Sequence, residues 1–315
     1  MGGIKFVFAV VAAALAAVST PAATSSRAKS IRGCFGAAVR ESQDRCENPR
    51  LRYEVIPSPA NARHSPNAPC TIIEERGAFR VCEFGAAASL TRATVALLGD
   101  SHAAHWRAAL EVVAAAQNWR GISITLSGCP YSMVTRVLAE PLRSNCIARN
   151  DAVPQWLAQH PEIHTVFVSE LSGAHWAVPA GSDQFTAQVD AYTRAWGKLP
   201  PSVRHLVVIR DTPKALPTTR ACIERSHAAH RDAGRACAVA RDLAIDPDAA
   251  AFAAGRLGAP RFQMVDLNRL FCDRRWCYPV IGGALVQKDL HHLTAAFVRT
   301  LGPFLLDAVR RLDLS

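Results

Sequence analysis

Several common kinds of site and segment are missing from this sequence. It contains neither a Gly-x-Gly-x-x-Gly nor a Walker-type phosphate loop, which argues against a nucleotide site. Beyond residue 23, no stretch approaches the roughly 20 apolar residues that a transmembrane helix needs. The 36 Lys and Arg residues contribute to a net charge of +10, but they are scattered, without a dense run or interleaved aromatic residues. The sequence therefore does not predict nucleic-acid binding, although a basic protein favours anionic glycans or membrane surfaces.

Cys-x-x-Cys pairs, which are typical of zinc sites, are also absent. The ten cysteines fall instead into sequential couples with short separations. An even number of cysteines in an exported chain predicts disulfides, with zinc as the alternative, and pairing between sequence neighbours is the simplest connectivity. The couples are Cys34 and Cys46, Cys70 and Cys82, Cys129 and Cys146, Cys222 and Cys237, and Cys272 and Cys277.

The N-terminal segment has the pattern of a secretory signal peptide over residues 1–23. Lys5 precedes the apolar run Phe6–Val18, and the small residues typical of a cleavage site follow it. We predict cleavage near Ala23 and an exported protein, either periplasmic or extracellular. An uncleaved membrane anchor is the alternative.

The composition divides the rest of the chain into two parts. Residues 24–90 are rich in Pro, Ser, Asn, Arg and Cys and show little helical or strand periodicity, so we predict an extension that packs on the main domain. Strand-like and helix-like segments alternate in residues 91–315, which predicts an α/β, three-layer αβα sandwich with a parallel sheet of about five strands. The predicted strands are Ala93–Gly99, Ile122–Leu126, Thr165–Ser169, His205–Ile209 and Met264–Leu267, and the predicted helices are His102–Ala116, Ala148–Gln159, Asp183–Trp196 and Thr294–Leu312.

A candidate nucleophile stands at the end of the first predicted strand. The strand runs into Gly99, Asp100 and Ser101, and a predicted helix follows at once. In open α/β sheets, ligands bind at such strand-to-helix turns, and free N–H groups at the helix start can stabilise an anion. Ser101 is therefore the candidate for attack on a carbonyl. Asp100 fits a turn or a helix cap better than a role in catalysis.

A candidate base and its orienting acid lie near the C-terminus. Asp289 and His292 are three residues apart, and on a helical turn such residues share one face. His291, only two residues from Asp289, is expected to point elsewhere as an exposed or wall residue. Ser101, His292 and Asp289 together predict a Ser-His-Asp triad of a hydrolase or acyltransferase.

Two further groups concern anion binding and metals. Gly128 ends the second predicted strand, and a glycine there lets a backbone N–H approach a substrate. Ser101 and Gly128 are thus the candidate oxyanion donors, with an ordinary turn as the alternative for Gly128. His102 and His105 share a helix face, but no zinc-protease motif follows them, so we predict no metal site.

The segment Leu97–Trp106 resembles the first sequence block of SGNH-fold esterases and acyltransferases. It looks most like the periplasmic SGNH domains fused to acyltransferase-3 membrane proteins, which O-acetylate bacterial surface glycans. The resemblance spans roughly residues 66–302 and implies an SGNH/flavodoxin-like sandwich with Ser101 as nucleophile, His292 as base and Asp289 as its orienting acid. Further matching segments are Ser127–Pro130, Asp211–Pro213 leading to Cys222, Cys272–Cys277 and Asp289–Thr294.

The chain departs from the family pattern in two respects. The wider family has a Gly-x-Asn-Asp block whose Asn donates to the oxyanion, but the matching segment Val168–Gly173 has no Asn. Where the fused subgroup often has an Arg-Trp pair, this chain has Leu171 and Ser172. We therefore expect an atypical oxyanion hole. The second departure is that the sequence contains no multi-helix membrane half.

These features predict an exported O-acyltransferase or acetylesterase that acts on cell-envelope glycan without a cofactor. The alternatives are a secreted lipase-like carboxylesterase and a non-catalytic glycan-binding module. A glycan acceptor is the expected partner. Because no nucleotide site is predicted for acyl-coenzyme A, the acyl group is expected from a separate multi-pass membrane acyltransferase or from an already acylated glycan. The sequence identifies no other protein partner.

Overall fold

The computed structural model of the chain describes residues 1–3, 34–41, 46 and 48–314. Apart from its first three residues, the predicted signal peptide lies outside this part of the chain. None of the helices in the described part is both long and apolar enough to cross a membrane.

A seven-stranded sheet forms the centre of the molecule, in the order β1-β2-β4-β3-β5-β6-β7. The run from β4 to β7 is parallel, and the β1–β2 hairpin joins it antiparallel beside β4. Every predicted strand is found in the parallel part, which confirms the predicted α/β sheet. The strands are β1 (Thr71–Arg76), β2 (Phe79–Gly85), β3 (Ala93–Gly99), β4 (Trp119–Thr125), β5 (Ile163–Ser169), β6 (His205–Ile209) and β7 (Phe262–Val265).

Helices cover both faces of the sheet, because side chains alternate along the buried strands. Leu97 and Phe167 pack against α1 and α6 on one face, while Leu98 and Val168 pack against α2, α3 and α5 on the other. This arrangement confirms the predicted three-layer sandwich. The helices are α1 (Ser101–Gln117), α2 (Leu142–Ala158), α3 (Gln184–Gly197), α4 (Thr219–Ala228), α5 (Ala249–Leu257) and α6 (Ala295–Arg310).

Helices α4 and α5 were not predicted from the sequence. Helix α4 lies apart from the two main layers, and its Ile223 packs in a smaller apolar cluster with Val55 and Ala62 of the N-terminal part. The short elements are helices Pro59–Ala62, Ala233–Ala236 and Arg241–Ala244, 3-10 turns Gly36–Arg40, Pro49–Leu51, Ala88–Leu90 and Asn268–Leu270, and the strand pairs Val239–Ala240 with Trp276–Cys277 and Val280–Ile281 with Ala284–Leu285.

The β1–β2 hairpin corrects one expectation for residues 24–90. Little strand structure was expected there, but the hairpin extends the central sheet through pairs such as Cys82 opposite Ser123. Strand β1 has no buried side chain and Glu74 alone is half-buried. A strand without a buried face has no alternation of apolar and polar residues, which is the signal used to recognise strands.

All ten cysteines lie in the described residues and form five disulfides between sequence neighbours, which confirms the predicted pairing. The bond between Cys129 and Cys146 ties the turn after β4 to α2, and the bond between Cys70 and Cys82 ties the start of the hairpin to β2. Cross-links of this kind restrict the unfolded chain and stabilise the folded one by roughly 2–4 kcal/mol each.

Candidate active site

Ser101 is the first residue of α1 and follows directly on strand β3 and Asp100. The helix begins here because Asp100 caps it: its Oδ1 accepts a hydrogen bond from the backbone N–H of His102 at 2.7 Å. Asp100 therefore has the capping role expected from the sequence. The hydroxyl of Ser101 stands at the carboxyl edge of the sheet, beside the free N–H groups of a helix start.

Gly99 makes this tight strand-to-helix turn possible. Its φ is +136°, a backbone conformation that side chains disfavour. A Cβ at this position would overlap the carbonyl oxygen of Ser169 and lie 2.9 Å from the Cβ of Ala103. The position therefore requires glycine. The absence of a side chain allows β3, β5 and α1 to lie close together beneath Ser101.

The structure brings the three predicted triad residues together in one chain of hydrogen bonds. The Ser101 hydroxyl lies 2.8 Å from Nε2 of His292, to which it can donate its proton. The other ring nitrogen, Nδ1, lies 2.8 Å from Oδ2 of Asp289. This is the arrangement in which an imidazole removes the proton of a serine that attacks a carbonyl.

Asp289 and His292 lie in an irregular loop, so the helical turn expected from their spacing was wrong. The loop is closed by a bridge between Gln287 and Leu293 and by the hydrogen bond from the N–H of Lys288 to the carbonyl of His292, at 2.8 Å. A tight loop places residues three apart close together just as a helical turn does. Their proximity was therefore inferred from a correct spacing and an incorrect local structure.

Asp289 also organises the backbone of this loop. Its Oδ1 accepts hydrogen bonds from the backbone N–H groups of His291, at 3.0 Å, and His292, at 2.8 Å. Partial burial opposes ionisation, but the hydrogen bonds from the His292 ring and these N–H groups outweigh it and hold the pKa of Asp289 well below its ordinary value. At neutral pH the carboxylate can therefore orient the imidazole and stabilise its protonated form.

A second His-Asp pair, which sequence analysis missed, lies under the first. His102 is fully buried, and its Nδ1 is 2.5 Å from Oδ1 of Asp211. Oδ2 of Asp211 accepts hydrogen bonds from the N–H and hydroxyl of Ser172, at 2.6 and 2.7 Å. Asp211 was noted only as part of a matching segment. Its place just after the predicted strand β6, at the same edge as Ser101, is the signal that could have identified it.

Burial and charge act in opposite directions on this second pair. Burial opposes protonation of His102, but the Asp211 carboxylate outweighs it and raises the pKa of His102. Burial likewise opposes ionisation of Asp211, but His102 and the bonds from Ser172 lower the pKa of Asp211. The pair is thus stabilised as an ion pair at mildly acidic pH.

His291 connects the two pairs. Its Nδ1 lies 3.0 Å from Nε2 of His102, and its ring centroid lies 4.2 Å from that of His292. Burial and the neighbouring rings of His292 and His102 lower the pKa of His291 to about 4. His291 is therefore neutral at pH 7. In agreement with the sequence analysis, the hydrogen bonds among the described residues include none between His291 and Ser101.

A protein-family model described as "SGNH domain (fused to AT3 domains)" matches residues 66–307, about three quarters of the chain. The chain belongs to this SGNH family. No curated protein sequence matches that of this SGNH domain.

Solved structures support the same fold. The periplasmic domain of a lipopolysaccharide acetyltransferase from Salmonella ser. Paratyphi A has a TM-score of 0.54 at 12% sequence identity, covering 70% of this chain and 85% of that chain. At such low identity the likeness shows a shared fold and nothing more. The crystal structure of VinJ has a TM-score of 0.24 at 13% identity, covering 52% of this chain and 55% of its own, which is too low to support an argument.

This SGNH domain has Glu170 in the segment where the wider family has its oxyanion Asn. Glu170 is buried, and its two carboxyl oxygens accept hydrogen bonds from the N–H groups of Asp100, at 3.2 Å, and Tyr131, at 2.7 Å. Burial and the nearby Asp100 carboxylate raise the pKa of Glu170 well above its ordinary value. Glu170 therefore holds the turn beneath Ser101 in place. The segment that carries the oxyanion Asn in the wider family makes a structural contact in this chain.

Two buried arginines lie in this acidic region. Arg136 forms an ion pair with Asp100 and also donates to the carbonyl of Leu171, at 3.1 Å. Arg149 donates to the carbonyls of Gly99, at 3.0 Å, and Cys129, at 2.5 Å. Buried charges are stable only when paired and hydrogen-bonded. These contacts fix the ends of β3 and β4 relative to each other.

The predicted oxyanion donor Gly128 lies in the turn that follows β4. The N–H of Leu126 donates to the carbonyl of Gly99 at 3.1 Å, which holds this turn beside the end of β3. The hydrogen bonds among the described residues leave the backbone N–H groups of Ser101 and Gly128 unengaged. Both groups are thus available to a ligand at the edge of the sheet.

A cavity of about 300 Å³ adjoins the outer side of Asp289. Its walls include the apolar side chains of Leu216 and Ile223, and its lining also contains Arg63 and Arg220. Such a surface suits a ligand that is partly apolar and carries a negative charge. No signal in the sequence analysis pointed to this cavity, because its residues come from distant segments.

Among the candidate metal ligands considered from the sequence, His102 and His105 do not act as a pair. His105 is buried, neither of its ring nitrogens has a hydrogen-bond partner among the described residues, and burial lowers the pKa of His105 well below its ordinary value. The ring nitrogens that do converge are those of His102, His291 and His292.

Proposed function

We propose that this SGNH domain is an exported ester hydrolase or O-acyltransferase that acts on a cell-envelope glycan through an acyl-enzyme on Ser101. The observation that carries the proposal is the unbroken hydrogen-bond chain from Ser101 through His292 to Asp289. A binding module has no need of all three groups in this geometry.

In the proposed reaction, Nε2 of His292 takes the hydroxyl proton as Oγ of Ser101 attacks an ester carbonyl. The N–H groups of Ser101 and Gly128 stabilise the negative oxygen of the tetrahedral intermediate, and the ionised Asp289 stabilises the imidazolium. As the intermediate collapses, His292 returns the proton to the leaving alcohol, which leaves an acyl-enzyme. A second alcohol, or water, then takes the acyl group by the same steps in reverse.

Several features support a glycan acceptor in an oxidising compartment. Five disulfides are typical of proteins in such compartments. The lipopolysaccharide acetyltransferase domain with the shared fold is described as periplasmic. Arg63 and Arg220, in the cavity beside Asp289, suit the anionic groups of envelope glycans. The donor would be a separate membrane acyltransferase or an acylated glycan.

The apolar side chains in the cavity favour a second candidate, a carboxylesterase for longer acyl chains. The two candidates differ in their preferred substrate. Hydrolysis of p-nitrophenyl esters from acetate to octanoate separates them: a transferase of acetyl groups is expected to prefer acetate and to turn over faster when a glycan acceptor is added. A preference for octanoate without any effect of acceptor would favour the carboxylesterase.

Covalent labelling with a fluorophosphonate tests the shared mechanism. We expect one adduct per chain in the wild type, on Ser101, and none in Ser101→Ala or His292→Ala. Ser127→Ala, which removes an exposed hydroxyl at the same edge of the sheet, is the matched control and should label normally. Equal labelling of Ser101→Ala, or no labelling of the wild type, would reject the proposed acyl-enzyme and favour a non-catalytic glycan-binding module.

A further inference from the structure

Three imidazoles converge at the active site. The ligand atoms of His102, His291 and His292 all lie within 4.8 Å of one another. Two of these atoms, Nε2 of His102 and Nδ1 of His291, are only 3.0 Å apart. The third ring, that of His292, is the one that contacts Ser101, and catalysis on Ser101 accounts for neither of the other two.

Two of these histidines are hydrogen-bonded to carboxylates, as the histidines of metal sites commonly are. Nδ1 of His102 lies 2.5 Å from Oδ1 of Asp211, and Nδ1 of His292 lies 2.8 Å from Oδ2 of Asp289. Histidines that bind metals almost always donate their second ring N–H to a carboxylate or carbonyl, which fixes the tautomer and directs the free nitrogen at the ion. Here two such pairs leave Nε2 of His102 and Nε2 of His292 as the ring nitrogens not held by a carboxylate, and both residues belong to the cluster.

The spacing of the nitrogens also fits a small divalent ion. Zinc binds imidazole nitrogen at about 2.0–2.1 Å in tetrahedral geometry, which separates neighbouring ligand nitrogens by roughly 3.4 Å. Nε2 of His102 and Nδ1 of His291 need to move apart by about 0.4 Å, and no pair needs to close by more than about 1.4 Å. Rotation of His291 and His292, which are half-buried in a loop, supplies such movements.

We propose that His102, His291 and His292 form a Zn²⁺ site that overlaps the catalytic base and switches it off. The ion takes the lone pair of His292 Nε2 that otherwise accepts the serine proton. Its fourth ligand is water or the Ser101 oxygen, which lies 2.8 Å from that nitrogen. The proton shared between His102 and His291 leaves their contact, either for Nε2 of His291 or for solvent. The inhibitory effect rests on the proposed function, whereas the binding of the ion does not.

Direct binding is measured with Co²⁺, which reports tetrahedral coordination by its visible absorption, and with Zn²⁺ in competition with a chromogenic chelator. The full-length protein is expected to bind one ion per chain. His291→Ala and His292→Ala should each weaken binding at least tenfold, and Ser101→Ala, in which water can supply the fourth ligand, should still bind. The matched control is the double variant His227→Ala/His230→Ala, which alters the same His-Ala-Ala-His tetrapeptide outside the site and should bind as the wild type does.

Inhibition is measured in parallel on p-nitrophenyl acetate. The rate should fall over the same Zn²⁺ range in which the ion binds, and a chelator should restore it. Three results would each overturn the site. The first is Zn²⁺ binding too weak to compete with the chelator, and the second is an octahedral Co²⁺ spectrum. The third is an affinity in His291→Ala and His292→Ala equal to that of the wild type. A wild type that binds one tetrahedral ion but never hydrolyses an ester would instead leave the site standing and remove the proposed function together with the inhibition.

Discussion

Replacing Asp289 with Asn should prevent His292 from acting as a base without unfolding the loop. Oδ1 of Asp289 accepts two backbone N–H groups, those of His291 and His292, and an amide can do so only through its oxygen. The amide NH₂ group then faces Nδ1 of His292, where the carboxylate oxygen stood at 2.8 Å. Because NH₂ donates, it forces the ring proton onto Nε2, and His292 can no longer accept the proton of Ser101.

The size of this effect follows from the exposure of the pair. In a buried triad such an Asp-to-Asn change lowers kcat about 10⁴-fold. The Asp289 side chain is 45% exposed, so water competes with the amide and lets some molecules keep the active tautomer. We therefore expect a loss of about 10²–10³-fold, or roughly 2.7–4.1 kcal/mol of transition-state stabilisation.

The assay is kcat/KM for p-nitrophenyl acetate, together with the rate of fluorophosphonate labelling. Thermal unfolding provides the control, because the amide oxygen keeps both backbone hydrogen bonds and Tm should change little. An Asn variant that folds normally and retains activity within tenfold of the wild type would refute the role given to Asp289.

Four further substitutions and one double variant test the site and the turn that supports it. Ser101→Ala and His292→Ala should each abolish nearly all esterase activity, and the double variant should be little worse than either, since triad residues act as a unit; additive losses would contradict a shared mechanism. Gly99→Ala places a methyl group against the carbonyl of the neighbouring strand at a positive φ, and should lower the free energy of unfolding by about 2–4 kcal/mol in urea titrations. Asp211→Asn removes the ion pair with His102. Because folding raises the pKa of His102 from 6.5 and lowers that of Asp211 from 3.8, the pair's stabilisation is full between roughly pH 4 and 6.5 and fades as pH rises further or falls below that range. The Tm difference from the wild type should therefore be larger at pH 5.5 than at pH 9, and an equal difference would count against the ion pair.

The parallel sheet could be predicted because its strands are short apolar runs separated by helical segments. Strands such as β3 and β6 are buried almost throughout, so composition alone marks them. Strand β1 could not be recognised, since its sequence Thr-Ile-Ile-Glu-Glu-Arg is almost wholly exposed and joins the sheet only through β2. Its place depends on a tertiary contact that local periodicity does not record.

The site was predictable where the chain itself places groups together. The spacing of Asp289 and His292 and the turn before Ser101 are local features, and the structure brings these residues together. Asp211 and Glu170 depend instead on strands β6 and β5 ending at the same edge as β3. Their contacts cross 109 residues for His102–Asp211 and 70 for Asp100–Glu170, distances over which a single sequence carries no pairing signal.

The contact between Ser101 and His292 joins positions 191 residues apart in the chain. A chain leaves the ribosome N-terminal end first, and a domain generally folds as a unit. The nucleophile turn and most of the sheet therefore emerge long before the loop that carries the base. Until that loop docks, His292 does not lie beside Ser101, so under the proposed mechanism a partly synthesised chain is inactive. The proposed activity would therefore begin only when the last part of the domain is in place.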